Sequence, residues 1–155
     1  MEQNRTPKCA VVGYGSWATA IVKTLTTNRH HINWLVLNEE ILQSLEQRGR
    51  NSKYLPWCDI DKEYFTASAD INAVVEDADI VIMAMPSAYM KKFLEPLTVD
   101  LSNKIVVSVV KGIIPGDYLT IVEHMNRDYD VPMKNLAVVT GPSHAEEVGQ
   151  CRLSY

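Results

Sequence analysis

Short apolar runs that alternate with segments of helical spacing constrain the fold of this chain more than any other feature. The runs lack polar alternation, which is typical of strands buried on both faces of a sheet. Strands and helices in alternation form parallel βαβ units, so we predict an α/β fold with a doubly wound, mostly parallel sheet. Strands are predicted at residues 8–12, 32–37, 64–67, 79–85, 105–110 and 136–140. Helices are predicted at residues 16–28, 39–48, 88–97 and 118–127, with a short one through Val75 capped by Ser68 or Asp70.

Length and composition indicate one globular domain of 155 residues. The net charge of −4 gives no basic surface for nucleic acid. The first eight residues lack the apolar stretch of a secretory signal, and the longest apolar run, residues 80–85, is too short to span a bilayer. We therefore expect a cytoplasmic protein without membrane insertion. Its three cysteines include no Cys-x-x-Cys pair and its adjacent histidines fit a polar loop, so we expect reduced thiols and no metal site.

The first predicted βα turn carries the segment Gly13-Tyr-Gly-Ser-Trp-Ala18, which is the G-x-G-x-x-G/A pattern in its alanine form. Gly13 would permit the tight turn, Gly15 would let a pyrophosphate approach the backbone, and Ala18 would let the helix pack on the strand. The amides and the dipole of the helix start attract phosphate. Because the motif follows a predicted strand and opens a predicted helix, it favours dinucleotide binding over an ordinary glycine turn.

The end of the second predicted strand bears on the choice between NAD and NADP. An acid there binds the ribose hydroxyls of NAD, whereas a basic residue accommodates the 2′-phosphate of NADP. Residues 37–40 read Leu-Asn-Glu-Glu and include no basic residue, which favours NAD. Glu39 is explained equally well as an acid in the first turn of a helix. A preference for NADP would require a basic group from elsewhere, namely Arg48, Arg50 or Lys53.

Three later strand ends carry polar or special residues: Met85-Pro-Ser87, Val110-Lys-Gly112 and the segment from Thr140 to His144. In a doubly wound sheet these ends lie at the same edge as the glycine turn. Lys111 could act there as a positive hydrogen-bond donor to a carbonyl or an anion. The alternative is a solvated lysine at a strand end.

Five segments resemble the NAD(P)-dependent glycerol-3-phosphate dehydrogenase family, in the family's order and approximate spacing. They span nearly the whole chain, and the last two are the most specific, whereas a generic Rossmann protein would share the first alone. The segments are Gly-Tyr-Gly-Ser-Trp-Ala-Thr-Ala at 13–20, Asn51-Ser-Lys-Tyr-Leu-Pro56, Met85-Pro-Ser87, Val109-Val-Lys-Gly-Ile113 and Gly141-Pro-Ser-His-Ala-Glu-Glu-Val148.

The resemblance implies a Rossmann domain over residues 1–155 that binds NAD or NADP. It also implies an enzyme that interconverts sn-glycerol 3-phosphate and dihydroxyacetone phosphate by hydride transfer, and it is compatible with an oligomer of the full-length enzyme. Together with the motif and the strand ends, it assigns the cofactor site to Gly13, Gly15, Ser16, Trp17, Ala18, Asn38, Pro86, Lys111 and Ala145. It assigns the substrate to Lys111, Gly141 and Ser143.

The sequence departs from the family's pattern in two ways. Many members carry a basic residue or histidine where this chain has Leu37-Asn38. The family also continues into a helical domain that supplies the proton-transfer lysine, whereas this sequence stops at Tyr155, and residues 151–155 resemble the beginning of a further strand. We therefore expect an N-terminal fragment that is inactive alone.

Two alternative functions remain open at this point. One is another Rossmann dehydrogenase, such as a ketopantoate reductase or a hydroxyacyl-CoA dehydrogenase, although the Gly141-Pro-Ser143 loop together with Lys111 speaks against it. The other is a non-catalytic dinucleotide-sensing module.

Overall fold

A computed structural model describes residues 5–152 and shows one sheet of six parallel strands in the order β3-β2-β1-β4-β5-β6. This order reverses direction between β1 and β4, which confirms the predicted doubly wound fold. The strands are β1 Cys9–Val12, β2 Ile32–Leu35, β3 Phe65–Ser68, β4 Ile80–Met83, β5 Ile105–Ser108 and β6 Leu136–Val138. The helices are α1 Ser16–Thr27, α2 Glu39–Arg48, α3 Ile71–Val75, α4 Met90–Leu94, α5 Ile121–Asp128 and α6 Ala145–Gly149.

Both faces of the sheet are covered, as the absence of polar alternation predicts. Helices α3, α4 and α5 pack on one face, where alternate strand residues such as Val12 and Met83 are buried. Helices α1, α2 and α6 pack on the other face, where Val11 and Trp34 are buried. The side chains of neighbouring strand residues thus enter two separate cores, because their directions alternate along a strand.

Helix ends follow the local signals of the sequence. Asn38 caps α2 by accepting a hydrogen bond from the Ile41 amide, and Gly49 ends that helix in the left-handed conformation with φ of 65°. Asp70, rather than Ser68, caps α3, with its carboxylate accepting from two backbone amides of the first turn.

Three helical segments differ from the prediction. The helix predicted at 118–127 begins only at Ile121, because Tyr118 has a left-handed φ of 58° and Thr120 forms a capping box with Glu123. The helix predicted at 88–97 consists of a 3-10 turn, Ser87–Tyr89, followed by the short α4. Helix α6 was not predicted at all.

The strand ladders are shorter than the apolar runs that predict them. Single backbone hydrogen bonds continue the pairing beyond the ladders, for example from the Ala84 amide to the Val12 carbonyl at 2.8 Å. The edge strand β6 is largely exposed. The further strand expected from residue 151 lies mostly outside the described residues, and Cys151 itself forms a turn after α6. None of the helices in residues 5–152 combines the length and apolar character needed to cross a membrane.

Candidate functional site

A cleft of about 490 Å³ opens at the carboxyl ends of the central strands. This is the edge of a doubly wound sheet where ligands bind, and the volume lies within the ~300–1,000 Å³ that small-molecule sites occupy. Residues from the glycine turn, from the ends of β4 and β5 and from the start of α6 line it. They are Gly15, Ser16, Trp17, Ala84, Met85, Pro86, Ser87, Ala88, Val109, Val110, Lys111, Ser143, His144 and Ala145.

Gly13 makes the tight turn between β1 and α1, and it does not line the cleft. Its φ of 127° is a conformation that residues with a side chain rarely adopt. A Cβ at this position would lie 2.6 Å from the Ala84 carbonyl oxygen. The Gly13 carbonyl accepts a buried hydrogen bond of 2.7 Å from the Trp34 indole. Gly13 therefore sets the close packing of β1 against the end of β4.

Gly15 differs from Gly13 because, apart from its two chain neighbours, nothing in the described protein lies within 4 Å of the position that its Cβ would take. Its φ of −75° is open to any residue, and it stands immediately before α1. The first turn of α1 contains no acidic residue, so the partial positive charge of this helix end is not neutralised locally. The missing side chain thus leaves space for an anion at the start of α1.

Trp17 supplies a polar group that the protein leaves without a partner. The residue lines the cleft and packs against the core under α1. Its indole Nε1 is buried, yet it has no hydrogen-bond partner among residues 5–152. A buried donor without a partner is costly, so a ligand that brought an acceptor to this indole would remove that cost.

Lys111 lies on the loop that follows β5, where it is exposed and forms no ion pair within the described part of the chain. The next residue, Gly112, has a φ of 90°, and a Cβ there would lie 3.6 Å from Ser87 Oγ. Upstream, the buried Ser108 accepts a hydrogen bond from the Val110 amide through its hydroxyl. The loop that carries Lys111 therefore lies beside the loop that follows β4, and both loops line the cleft.

Helix α6 packs against α1 and brings Ala145, together with the two preceding residues Ser143 and His144, to the cleft. Its other side fits closely against the loop before β3, because a Cβ on Gly149 would lie 3.1 Å from Leu55. The buried Cys58 thiol lies 3.8 Å from the Gly149 carbonyl, and burial raises the pKa of this thiol. The acidic pair at 146–147 next to Ala145 and Val148 is a sequence signal for this helix that our prediction did not use.

The structure brings together seven of the residues assigned from the sequence and leaves four outside the cleft. Gly13 and Ala18 act within the protein, and Ala18 is a fully buried residue of α1. Gly141 precedes the lining residues, and Asn38 caps α2. The residues that line the cleft are Gly15, Ser16, Trp17, Pro86, Lys111, Ser143 and Ala145.

A basic group does reach the first turn of α2, the helix that follows β2, although the segment 37–40 contains none. Lys53 Nζ lies 2.8 Å from Glu40 Oε2 in the first turn of α2. The hydrogen bond to Glu40 raises the pKa of Lys53, so the side chain is a cation at neutral pH. The absence of a basic residue from segment 37–40 therefore does not keep a cation away from this part of the fold, and the preference for NAD stays a prediction.

The chemistry of the cleft follows from its charges. Lys111 and His144 are the only basic side chains among the lining residues, and none of the lining residues is acidic. A helix end, an unpaired lysine and hydroxyl groups suit an anionic ligand. No pair of acid and base groups lies in the cleft within the described residues.

The comparisons with known proteins agree with this geometry. The family described as NAD-dependent glycerol-3-phosphate dehydrogenase N-terminus matches residues 8–155. The glycerol-3-phosphate dehydrogenase [NAD(P)+] of Halalkalibacterium halodurans is 33% identical over 141 residues, which are 90% of this chain and 40% of the relative. The enzyme of the same name from Bacillus subtilis is 32% identical over 144 residues, which are 92% and 41% of the two chains. This chain therefore spans about two fifths of the length of these relatives.

Solved structures share the fold. A glycerol-3-phosphate dehydrogenase of Plasmodium falciparum superposes with a TM-score of 0.83 at 22% identity, covering 96% of this chain and 44% of the other. The Saccharomyces cerevisiae enzyme gives 0.82 at 23% identity, covering 94% and 45%. A D-mandelate dehydrogenase with NADH gives only 0.58 at 17% identity, covering 84% and 38%.

The family match favours one of the Rossmann dehydrogenase families that the sequence left open. It covers nearly every residue of the chain, including the glycine turn, Lys111 and the loop at Ser143. This chain belongs to the family of NAD-dependent glycerol-3-phosphate dehydrogenase N-terminal domains.

Proposed function

We propose that this chain binds NAD or NADP and forms the cofactor-binding part of an enzyme that interconverts sn-glycerol 3-phosphate and dihydroxyacetone phosphate. The cleft between the glycine turn and Lys111 carries this proposal. It combines open space at Gly15, an unneutralised helix start and an unpartnered indole at Trp17. A pyrophosphate accepts hydrogen bonds and carries negative charge, so it matches all three features.

The nicotinamide, when bound, supplies the hydride chemistry, and the protein supplies orientation and charge. Ser16 and Trp17 hold the cofactor at the start of α1. Pro86 and Ala145 also line the cleft, and their apolar side chains do not compete with the cofactor for hydrogen bonds. These residues fix the cofactor relative to the strand ends.

Lys111 and Ser143 form the substrate side of the site. The Lys111 ammonium orients a phosphate or a carbonyl oxygen as a positive donor, and the Ser143 hydroxyl donates or accepts a further hydrogen bond. Gly141 precedes this loop and leaves the backbone free of a side chain. Because Lys111 binds both ligands, a separate group is required to carry the hydroxyl proton of the substrate.

The cleft lacks such a group within residues 5–152, apart from the exposed His144. We therefore expect the 155-residue chain to bind NADH but not to oxidise it with dihydroxyacetone phosphate. Lost positioning of the substrate also raises the barrier by several kcal/mol, on the order of what proximity supplies in enzymes.

The test compares the chain alone with a chimera that joins it to the remaining part of the Bacillus subtilis relative. NADH fluorescence measures binding, and loss of NADH absorbance with dihydroxyacetone phosphate measures turnover. Binding by both proteins and turnover by the chimera alone would support the proposal. Robust turnover by the chain alone would contradict the division of roles, and absence of binding would contradict the cofactor assignment.

A further inference from the structure

Asn51 is a buried polar residue that fastens a loop to the glycine turn. Its side-chain Nδ2 donates to the Tyr14 carbonyl and to Thr19 Oγ1, each at 2.9 Å. Its Oδ1 accepts from the backbone amides of Lys53 and Tyr54, each at 3.1 Å. Asn51 is 0% exposed, and its amide uses both its donors and its acceptor. The position of residues 51–54 is therefore tied to the turn that receives the pyrophosphate.

The fastened loop carries Lys53 to the first turn of α2, the helix that follows β2. Lys53 Nζ lies 2.8 Å from Glu40 Oε2, and the side chains are 43% and 68% exposed. Such a solvated ion pair is weak, so either partner can exchange it for a ligand group. Two other nearby basic residues are placed differently. Arg50 pairs with Asp59 at 3.1 Å, and Arg48 lies at the opposite end of α2.

The end of β2 is where the adenosine ribose of a dinucleotide lies in this fold. A carboxylate there accepts hydrogen bonds from the ribose hydroxyls of NAD, and it repels the 2′-phosphate of NADP. A cation has the opposite effect, because it forms a charge-assisted hydrogen bond with that phosphate. This chain places one group of each kind side by side.

We propose that the Glu40–Lys53 pair sets the preference of this chain between NAD and NADP. Glu40 accepts from the ribose hydroxyls of NAD, and Lys53 leaves Glu40 to bind the 2′-phosphate of NADP. The pair makes the site tolerant of both cofactors, with Asn51 as the positioning residue. This inference rests on the proposed cofactor function, and it adds the residues that select between the two cofactors.

The experiment measures the dissociation constants of NADH and NADPH for the 155-residue chain by fluorescence titration. Lys53→Met removes the cation and should weaken NADPH binding by about three- to tenfold, with NADH changed less than about twofold. Glu40→Gln removes the repelling carboxylate and should shift the NADPH-to-NADH affinity ratio in the opposite direction. Arg48→Met is the matched control, because it removes a positive charge from the far end of the same helix.

Salt provides a second readout that a merely structural role would not change. Screening should weaken NADPH binding to the wild-type chain more steeply than binding to Lys53→Met. Both side chains are exposed, so the variants should keep the urea midpoint of the wild type. Binding of both cofactors with an unchanged affinity ratio in Lys53→Met and Glu40→Gln would overturn this inference alone. Failure of the wild type to bind either cofactor would overturn the proposed function as well.

Discussion

Alanine substitutions at the two glycines of the first turn should have different effects: Gly13→Ala should lower stability, and Gly15→Ala should weaken cofactor binding. At Gly13 the new Cβ would lie 2.6 Å from a backbone oxygen, at a φ of 127°. Backbone strain and overpacking cost about 1–3 kcal/mol each, so Gly13→Ala should lower the free energy of unfolding by about 2–6 kcal/mol. At Gly15 the Cβ meets nothing within 4 Å and φ is −75°. Gly15→Ala should therefore cost less than about 1 kcal/mol, as expected for a changed N-cap residue.

The assay for this prediction pairs urea unfolding, followed by circular dichroism, with NADH titration. Gly13→Ala should shift the urea midpoint without changing the slope m. Gly15→Ala should keep the midpoint and weaken NADH binding, and Gly15→Val should weaken it further, by about 10- to 100-fold in total. A Gly15→Val chain that binds NADH as tightly as the wild type would refute the placement of the pyrophosphate. A Gly13→Ala chain as stable as the wild type would refute the close approach of β1 to β4.

Three further predictions concern other parts of the fold. In the chimera, Lys111→Met should cut turnover by about 100-fold and weaken NADH binding less than about threefold, with Lys92→Met as the control. Turnover equal to that of the unsubstituted chimera would instead support the interpretation of Lys111 as a solvated lysine at a strand end. Thr120→Ala should lower the free energy of unfolding by about 1 kcal/mol in urea, because it removes the capping box of α5, and an unchanged midpoint would contradict this. Burial lowers the pKa of His124 in the folded chain despite the nearby Asp128. Below the ordinary histidine pKa of about 6.5, the unfolded chain therefore binds more protons at this residue than the folded chain does. Stability should therefore fall as the pH drops below about 6.5, and His124→Phe should weaken that dependence in urea titrations at several pH values.

Short-range patterns in the sequence predicted most of the fold. The apolar runs give the strands, and a cap or a left-handed residue gives the helix ends, as Asp70 and Gly49 show. The errors occur where a local signal was overridden or overlooked. Tyr118 adopts a left-handed φ within a segment of helical spacing, and Thr120 starts the helix instead.

The candidate site was less accessible to sequence reasoning, because several of its contacts join distant residues. Asn51 bonds to Tyr14 and Thr19, which lie 37 and 32 positions earlier, and no pattern in its own segment marks these partners. The position of Lys53 beside Glu40 depends on the same bonds. By contrast, the strand-end rule for parallel sheets was sufficient to place Lys111 and Ser143 near the glycine turn.

The most direct test of the cofactor site is a two-dimensional ¹H–¹⁵N NMR titration of the chain with NADH, read at its three tryptophan indoles. Trp17 Nε1 is buried without a partner in the described chain, and Trp34 Nε1 donates to Gly13 within the protein. Trp57 is 45% exposed on the loop before β3. We predict that NADH shifts the Trp17 indole most, together with the amides of residues 15–17, 109–111 and 143–145. Saturable binding that leaves Trp17 and these amides unshifted would contradict the site.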